Sequence, residues 1–511
     1  MYLTQSLHRA LQQQPDRIAT IFGQRIRTVA ESVDRITRLG GALRALGVQS
    51  GDRVAFLGLN SDRYHEYLFA VPWIGGVVNP VNTRWSPTEI AYSLVDSGTR
   101  VLLVDDAFAA LVPTLRKHVD GIQTVIFTGE GEAPEAAWDY EDLIAGNAPV
   151  EDTRTGGDAL LGLFYTGGTT GHPKGVMISH TNLVTSGLGS LASGAVASHH
   201  GRMLHAAPMF HMADIAMWTI GNLANSTHVI IPTFTATTTL KAIAEQQVTD
   251  TLLVPTMIQM LVDDAAGTTT DLTSLEHFVY GASPISESLL ERARKLFPTA
   301  QFTQAYGMTE LSPITTLLTP ADHDDPSLHR SAGRTVPHAE IRILDTDGND
   351  VPTGTVGEIV ARGDHVMRGY KPEETAEALR SGWMHTGDGG YMDDRGYVFI
   401  VDRLKDMIIS GGENVYSVEV ENALAKHPAI AGCAVIGVPD PQWGERVHAA
   451  VVIKPGQQVS KDRLRNHCKE LIATYKVPRS IDFVDTLPLS GAGKILKREL
   501  RTTQQEQHPG I

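Results

Sequence analysis

Residues 160–180 read LLGLFYTGGTTGHPKGVMISH: an apolar run, a loop rich in glycine and threonine with one lysine, and a second apolar run. Two short apolar runs around such a loop predict a strand–loop–strand unit. Gly167, Gly168 and Gly171 carry no side chain, so backbone N–H groups can approach an anion closely. Thr166, Thr169 and Thr170 add hydroxyl groups, and Lys174 adds a mobile positive charge. The loop departs from the P-loop pattern, because Pro173 precedes the lysine, Gly175 follows it and a strand comes next. Taken alone it is a candidate anion cradle, with a plain flexible turn as the alternative.

Around this unit, from about residue 50 to 310, short apolar runs alternate with helical patterns. RVAFLGLN (53–60), VLLVDD (101–106), THVIIP (227–232), DTLLVP (250–255) and HFVYGA (277–282) read as buried strands. TTTLKAIAEQQ and SESLLERARKLF place apolar residues at helical spacing. The alternation predicts α/β layers with largely parallel sheets. After about residue 335 the texture changes to hairpins, with Asp347-Gly348 in AEIRILDTDGNDVPTGTVGEIVARG and a second such plan in GYMDDRGYVFIVDR. Beyond Arg403 a short α+β pattern begins, which sets a boundary between residues 402 and 403 and gives domains 1–402 and 403–511.

The bulk properties exclude several classes. A net charge of −15 argues against broad binding to nucleic acid or anionic membranes. Two cysteines, Cys433 and Cys468, form no disulfide framework, and a reducing cytoplasm is the natural reading. The opening MYLTQSLHRALQQQPDRIAT reads as an amphipathic helix and no apolar run reaches membrane length, so a protein without integral membrane association is expected.

Four further segments carry suitable chemistry. QAYGMTE (304–310) follows a strand-like AQFT and puts Thr309 and Glu310 at a strand end, where a carboxylate beside phosphates suits a magnesium ligand. WMHTGD (383–388) presents Asp388 after a glycine turn, suited to ribose hydroxyls. In VDRLKDMIISGGENVYSVEVE, Arg403, Lys405 and Asp406 lead to Ser410-Gly411-Gly412, and Ser417 reads as an N-cap with Glu419 and Glu421 in the first turn. LSGAGKILKREL offers Lys494 from a loop; a solvated basic tail is its plain alternative.

Together, in this order, the segments resemble the adenylate-forming superfamily of acyl-CoA synthetases, luciferases and peptide-synthetase adenylation domains. The resemblance covers nearly the whole chain. It departs at Gly167, where the family usually has Ser or Thr; the backbone donor is kept. It implies an α/β fold with a large multi-subdomain N-terminal domain (layered α/β sheets plus a small β-barrel) and a small mobile α+β C-terminal domain. It also implies an acid–CoA ligase that uses ATP, Mg²⁺ and coenzyme A on a carboxylic acid.

Residue by residue, the resemblance implies that Thr166, Thr169, Thr170 and Lys174, with the glycines of the loop, hold the β- and γ-phosphates. Glu310 with Thr166 would hold Mg²⁺, and Thr309 would reach the α-phosphate. Gly281, Ala282 and Ser283 of GASPI, with Gln304, Ala305, Tyr306 and Gly307, would flank adenine. Asp388 and Arg403 would grip the ribose, and Lys494 would bridge the substrate carboxylate and the α-phosphate. Lys405 would be the hinge. Gly411 and Gly412 would border the pantetheine tunnel, and Trp443 would contact CoA.

His211 of PMFHMAD (208–214) would border the acyl site; peptide-synthetase domains commonly have an aspartate there, so an acid without an α-amino group is favoured. Trp218, Gly281, Ala282, Gly307, Met308 and Pro313 complete the expected acyl pocket, for a medium or longer fatty acid or an aryl acid. A satisfied core histidine is the plain alternative for His211. A zinc site of His200, His205 and His211 is disfavoured by spacings that do not share a helix face. A serine hydrolase is disfavoured because GASPI lacks the second glycine of a nucleophile elbow. Transfer to a carrier protein or other acceptor, a non-catalytic nucleotide sensor and a homodimer are left open.

Overall fold

Each of the five apolar runs between residues 53 and 282 forms a strand in the computed structural model, which describes residues 1–166, 173–265, 270–370, 372–403, 406–410, 413–489 and 495–507. The chain divides into two compact units, Met1–Glu340 with Ala361–Met384, and Ile341–Val360 with His385–Ile511.

In the first unit a seven-stranded sheet runs in the order Trp138–Asp139, Thr124–Phe127, Val101–Val104, Arg53–Leu57, Val77–Pro80, Leu160–Thr166 and Lys174–Ser179. All its neighbours pair in parallel except the last two strands, which form an antiparallel hairpin. A second sheet has a parallel centre of Gln301–Gly307, His277–Gly281, Asp250–Leu253, Arg202–His205, Thr227–Ile230 and Ile18–Phe22. Strands such as VLLV and DTLL are buried along their whole length, as expected where helices cover both faces of a parallel sheet.

The helix Asp62–Trp73 is buried at every position, N-capped by Ser61, and meets the helix Met212–Leu223 through Phe69 and Trp218, whose rings lie 4.5 Å apart. Burial of such a side chain contributes about 1.5–3 kcal/mol, so this contact anchors one sheet's layer to the other's.

Strands Glu340–Leu344, Gly357–Arg362, Met384–Met392 and Tyr397–Arg403 lie side by side in that order, largely in the second unit. Beyond them, a sheet of Glu413–Val415, Ile408–Ser410, Gly444–Ile453, Ile430–Asp440 and Ser480–Phe483 carries the helices Ser417–Ala425 and Lys461–Leu471 around a core of Val435, Val447, Leu464 and Ile481. No described helix is long and apolar enough to cross a membrane.

Candidate active site

The strand Leu160–Thr166 pairs antiparallel with Lys174–Ser179, Tyr165 opposite Gly175 and Thr166 opposite Lys174, so the strand–loop–strand reading holds. Gly167, Gly168, Thr169, Thr170 and Gly171 lie outside the described residues. The Tyr165 hydroxyl donates to Asp96 at 2.8 Å; burial first, and this carboxylate second, raise its pKa, so it stays a neutral phenol. At the far strand, the Lys174 ammonium stands 3.5 Å from Glu374 and 5.6 Å from the centroid of the Tyr370 ring. The hydroxyl of Tyr370 donates in turn to Glu310.

Why these residues meet follows from local structure. Ser179 caps the helix His180–Leu191 in a box with Asn182. The Asn182 amide donates to the carbonyls of Asp364 and Val366, both at 2.7 Å. A bridge from Met177 to Gly369 continues the tie, and the Met367 N–H donates to the Glu310 carbonyl at 2.8 Å. The segment 364–370 is thus laid along the lysine strand, with Tyr370 at its end.

Glu310 sits in the short 3₁₀ turn Thr309–Leu311 and is 6% exposed. Its carboxylate and the Thr166 hydroxyl are the hard oxygen donors Mg²⁺ prefers, and the Lys174 strand packs against the 309–311 turn, so the donor set fits the metal. The preceding strand runs farther than AQFT, through Gly307, and leaves Gln304, Ala305, Tyr306, Gly307, Met308 and Thr309 half-buried in succession. Two close approaches require glycine there: a Cβ on Gly281 would lie 2.2 Å from the Ala305 carbonyl oxygen, and one on Gly307 1.7 Å from that of Pro313. Ala282 holds φ of 65°, an uncommon conformation for a residue with a side chain, at the strand end beside half-buried Ser283.

His211 precedes the helix Met212–Leu223, and its carbonyl accepts from the N–H groups of Asp214 and Ile215, both at 3.0 Å. Trp218 is 1% exposed and spends its indole N–H on His65 Nδ1 at 3.0 Å, so it stands behind the expected pocket, in the same apolar cluster against which Met308 packs. Pro313 is half-buried beyond the Glu310 turn. Both ring nitrogens of His205 are engaged, Nδ1 with Asp214 and Nε2 with His228, each at 2.8 Å, which leaves it no lone pair for zinc.

In the second unit Asp388, 6% exposed, lies directly opposite Arg403 across the antiparallel pair Met384–Met392 and Tyr397–Arg403. Two residues expected at one ribose, fifteen positions apart, are therefore cross-strand neighbours. Lys405, Gly411, Gly412 and Lys494 lie outside the described residues. The base of the Lys494 segment is pinned by a bridge between Leu489 and Ile495 and by the Leu496 N–H on the Pro488 carbonyl at 2.8 Å. Trp443 is half-buried, with the Arg479 guanidinium 3.9 Å from the centroid of its ring.

One local reading is corrected. Ser417 is the first residue of its helix, not the cap; its N–H and hydroxyl both donate to Asp402, at 2.5 and 2.6 Å. Glu421 does not serve the helix end either. It turns inward to accept from the Val435 N–H and pairs with Lys497, each at 2.8 Å. Burial alone would lower the Lys497 ammonium, but Glu421 and Asp402 hold it above its usual value.

Tyr370, Asp96 and Asp402 are contacts the sequence reading missed. None belongs to a spacing that announces chemistry, and each reaches its partner through space.

The chain matches the AMP-binding enzyme family over residues 7–371 and the AMP-binding enzyme C-terminal domain over 419–494. It is 40% identical to a feruloyl-CoA synthase of Amycolatopsis sp, covering 95% of this chain and 96% of that one. It is 37% identical to the fatty acid–[acyl-carrier-protein] ligase ScoC of Streptomyces coeruleorubidus, covering 98% and 95%. The crystal structure of the anthranilate CoA ligase AuaEII in complex with anthranoyl-AMP superposes with a TM-score of 0.90 at 26% identity, over 98% of this chain and 97% of that one. The chain belongs to the AMP-binding enzyme family, as an acid–thiol ligase of the acyl-CoA synthetase type.

Proposed function

We propose that the protein joins a medium- or long-chain fatty acid, or an aryl carboxylic acid, to the thiol of coenzyme A through an acyl-AMP. The observation that carries the reading is the convergence of Lys174, Tyr370 and Glu310 at the end of the hairpin that holds the glycine loop. A chain of net charge −15 that binds a polyanion must concentrate positive charge locally, and Lys174 and Lys494 do so in this reading.

In the first step a carboxylate oxygen attacks the α-phosphorus of ATP, the bond to the β-phosphate bridging oxygen breaks and pyrophosphate leaves. Thr166, Thr169, Thr170, Lys174 and the loop backbone hold the departing phosphates. Thr309 orients the α-phosphate, and Lys494 offsets the repulsion between two anions as they close. Mg²⁺ held by Glu310 and Thr166 would supply charge neutralisation on the phosphates. Gly281 to Ser283 and Gln304 to Gly307 flank the adenine, and Asp388 with Arg403 takes the ribose.

In the second step the CoA thiolate attacks the acyl carbonyl and AMP departs. Movement about Lys405, at the 402/403 boundary, would exchange the adenylation arrangement for one that admits the thiol past Gly411 and Gly412, with Trp443 on the nucleotide of CoA. His211, Gly281, Ala282, Gly307, Met308 and Pro313 would line the acyl pocket, backed by Trp218. Free Cys433 and Cys468, both with pKa values raised by burial, suit a reducing cytoplasm.

A second reading has specific support: ScoC is a ligase for an acyl-carrier protein, so a carrier thiol is the alternative acceptor. A panel of fatty acids of graded length and aryl acids tests both, with pyrophosphate release and loss of free CoA or carrier thiol measured together. ATP turnover that ignores every acid in the panel sinks the ligase reading; thiol loss confined to carrier protein replaces CoA as acceptor.

A further inference from the structure

We infer that Asn60 is a positioning residue for the acyl pocket, holding the loop that presents His211 and thereby setting which acids fit; this rests on the reading of His211 as a pocket residue. Asn60 lies just beyond the strand Arg53–Leu57 of the seven-stranded sheet and is 5% exposed. Its side chain crosses to the other sheet. Nδ2 donates to the carbonyls of His205 at 3.4 Å and Ala207 at 2.9 Å, and Oδ1 accepts from the Met209 N–H at 2.7 Å. Its own N–H donates to the Pro232 carbonyl at 3.2 Å, beyond the strand Thr227–Ile230.

The segment 206–211 links the strand Arg202–His205 to the helix Met212–Leu223, and it starts where the His205 carbonyl accepts its last sheet bond, from the Ile231 N–H at 3.3 Å. One amide satisfies two buried backbone groups of this link, the Ala207 carbonyl and the Met209 N–H, and adds a second donor to the His205 carbonyl at its start. The loop is braced at its outer end by the His205–Asp214 pair at 2.8 Å and by the turn from the Pro208 carbonyl to the His211 N–H at 3.0 Å. Met209 and Phe210 are buried, so the position of His211 depends on where this braced loop sits.

Only a primary amide can perform the task at this length. It needs a donor end for two carbonyls and an acceptor end for one N–H, in one plane. Aspartate keeps the shape and the acceptor, but sets a carboxylate oxygen against two carbonyl oxygens. Serine shortens the reach and keeps a single hydroxyl. Both changes release the loop without touching the nucleotide side, which is formed by Lys174, Glu310 and the strand Gln301–Gly307.

The test compares Asn60→Asp and Asn60→Ser with His211→Ala and with Val54→Ala, a buried residue of the neighbouring strand that matches loss of stability without touching the loop. The acid panel, KM for acid and KM for ATP are measured for each. The expected result is a rise of about tenfold in KM for the preferred acid in the Asn60 variants. The order of preference across the panel should change as it does in His211→Ala, with KM for ATP within about twofold and Val54→Ala unchanged in preference. Serine serves if the aspartate variant does not fold. An unaltered acid profile in Asn60→Ser while His211→Ala shifts it overturns the inference alone. A profile unaltered in His211→Ala overturns the reading of the pocket on which it rests. Equal rises in KM for acid and ATP, or the same profile change in Val54→Ala, reduce Asn60 to general stability and also overturn it.

Discussion

The hydroxyl of Tyr370 donates to the carboxylate of Glu310, sixty residues earlier in the chain, while the Tyr370 ring faces the Lys174 ammonium at 5.6 Å. One side chain therefore meets both the lysine proposed for the phosphates and the carboxylate proposed for Mg²⁺. A hydrogen bond to a charged group is worth about 1.5–3 kcal/mol, and the bond here orients Glu310 without neutralising it.

Tyr370→Phe should therefore raise the Mg²⁺ concentration needed for half-maximal pyrophosphate release by roughly tenfold, with a smaller change in KM for the acid. Glu310→Gln should lower adenylation far more, by at least about a hundredfold, since it removes the charge itself. A Tyr370→Phe enzyme with wild-type metal dependence would show that the hydroxyl does not serve Glu310.

In the proposed reaction, Lys494 serves the first half-reaction and Lys405 the second. Lys494→Ala should nearly abolish formation of the acyl-AMP but spare thioester formation from supplied acyl-AMP. Lys405→Pro should do the reverse, because a fixed backbone angle hinders rotation. Parallel losses in both half-reactions for either variant would remove its assigned role.

Stability should fall in mild acid. Burial pushes His65 and His365 down to about 3 and His180 down to about 4, so all three are neutral in the fold, whereas the unfolded chain binds protons below about 6.5. Their contribution is complete above pH 6.5 and is lost as pH falls towards 3–4, at about 1.4 kcal/mol per pH unit for each histidine. Urea unfolding between pH 7 and 5 checks the slope, and His65→Gln should flatten it by one histidine's share. Stability that is level across that window would contradict the buried neutral assignment.

Asp402 caps the helix Ser417–Ala425 in place of a local serine, and accepts from both the N–H and the hydroxyl of Ser417. Asp402→Ala should destabilise the C-terminal unit by about 1–2 kcal/mol, and Ser417→Ala by less, because the backbone donor keeps its partner. Hydrogen exchange of the 417–425 amides reads this directly; equal effects of the two changes would assign the stabilisation to the hydroxyl alone.

Much of the architecture was legible because buried parallel strands write themselves as continuous apolar runs: VLLV, DTLL and HFVYG each became a strand where they were read. Strand ends were less certain. AQFT was extended through Gly307 because a paired neighbour, with Gly281 opposite Ala305, continues the ladder past the polar residues. Ser417 reads as a cap because a serine before a helix is an ordinary one; the helix starts at Ser417 itself, and nothing local announces that Asp402 accepts from its N–H.

The candidate site divides in the same way. Lys174, Thr166, Glu310, Asp388 and Arg403 stand in compact segments whose residue types and order point to one chemistry, so one dimension suffices to propose them. The meeting of Asp388 with Arg403 follows from a hairpin, a local contact. Tyr370 beside Glu310, Asp96 beside Tyr165 and Asn60 against the loop before His211 join residues 60, 69 and 145–149 positions apart. Their roles depend on distance and direction between separately folded elements, which residue identity along a chain does not encode in any local pattern. The sequence by itself determined the kind of chemistry and nominated the groups proposed to carry it; the tertiary structure alone decided which neighbours hold those groups still, because such contacts join elements far apart in the chain.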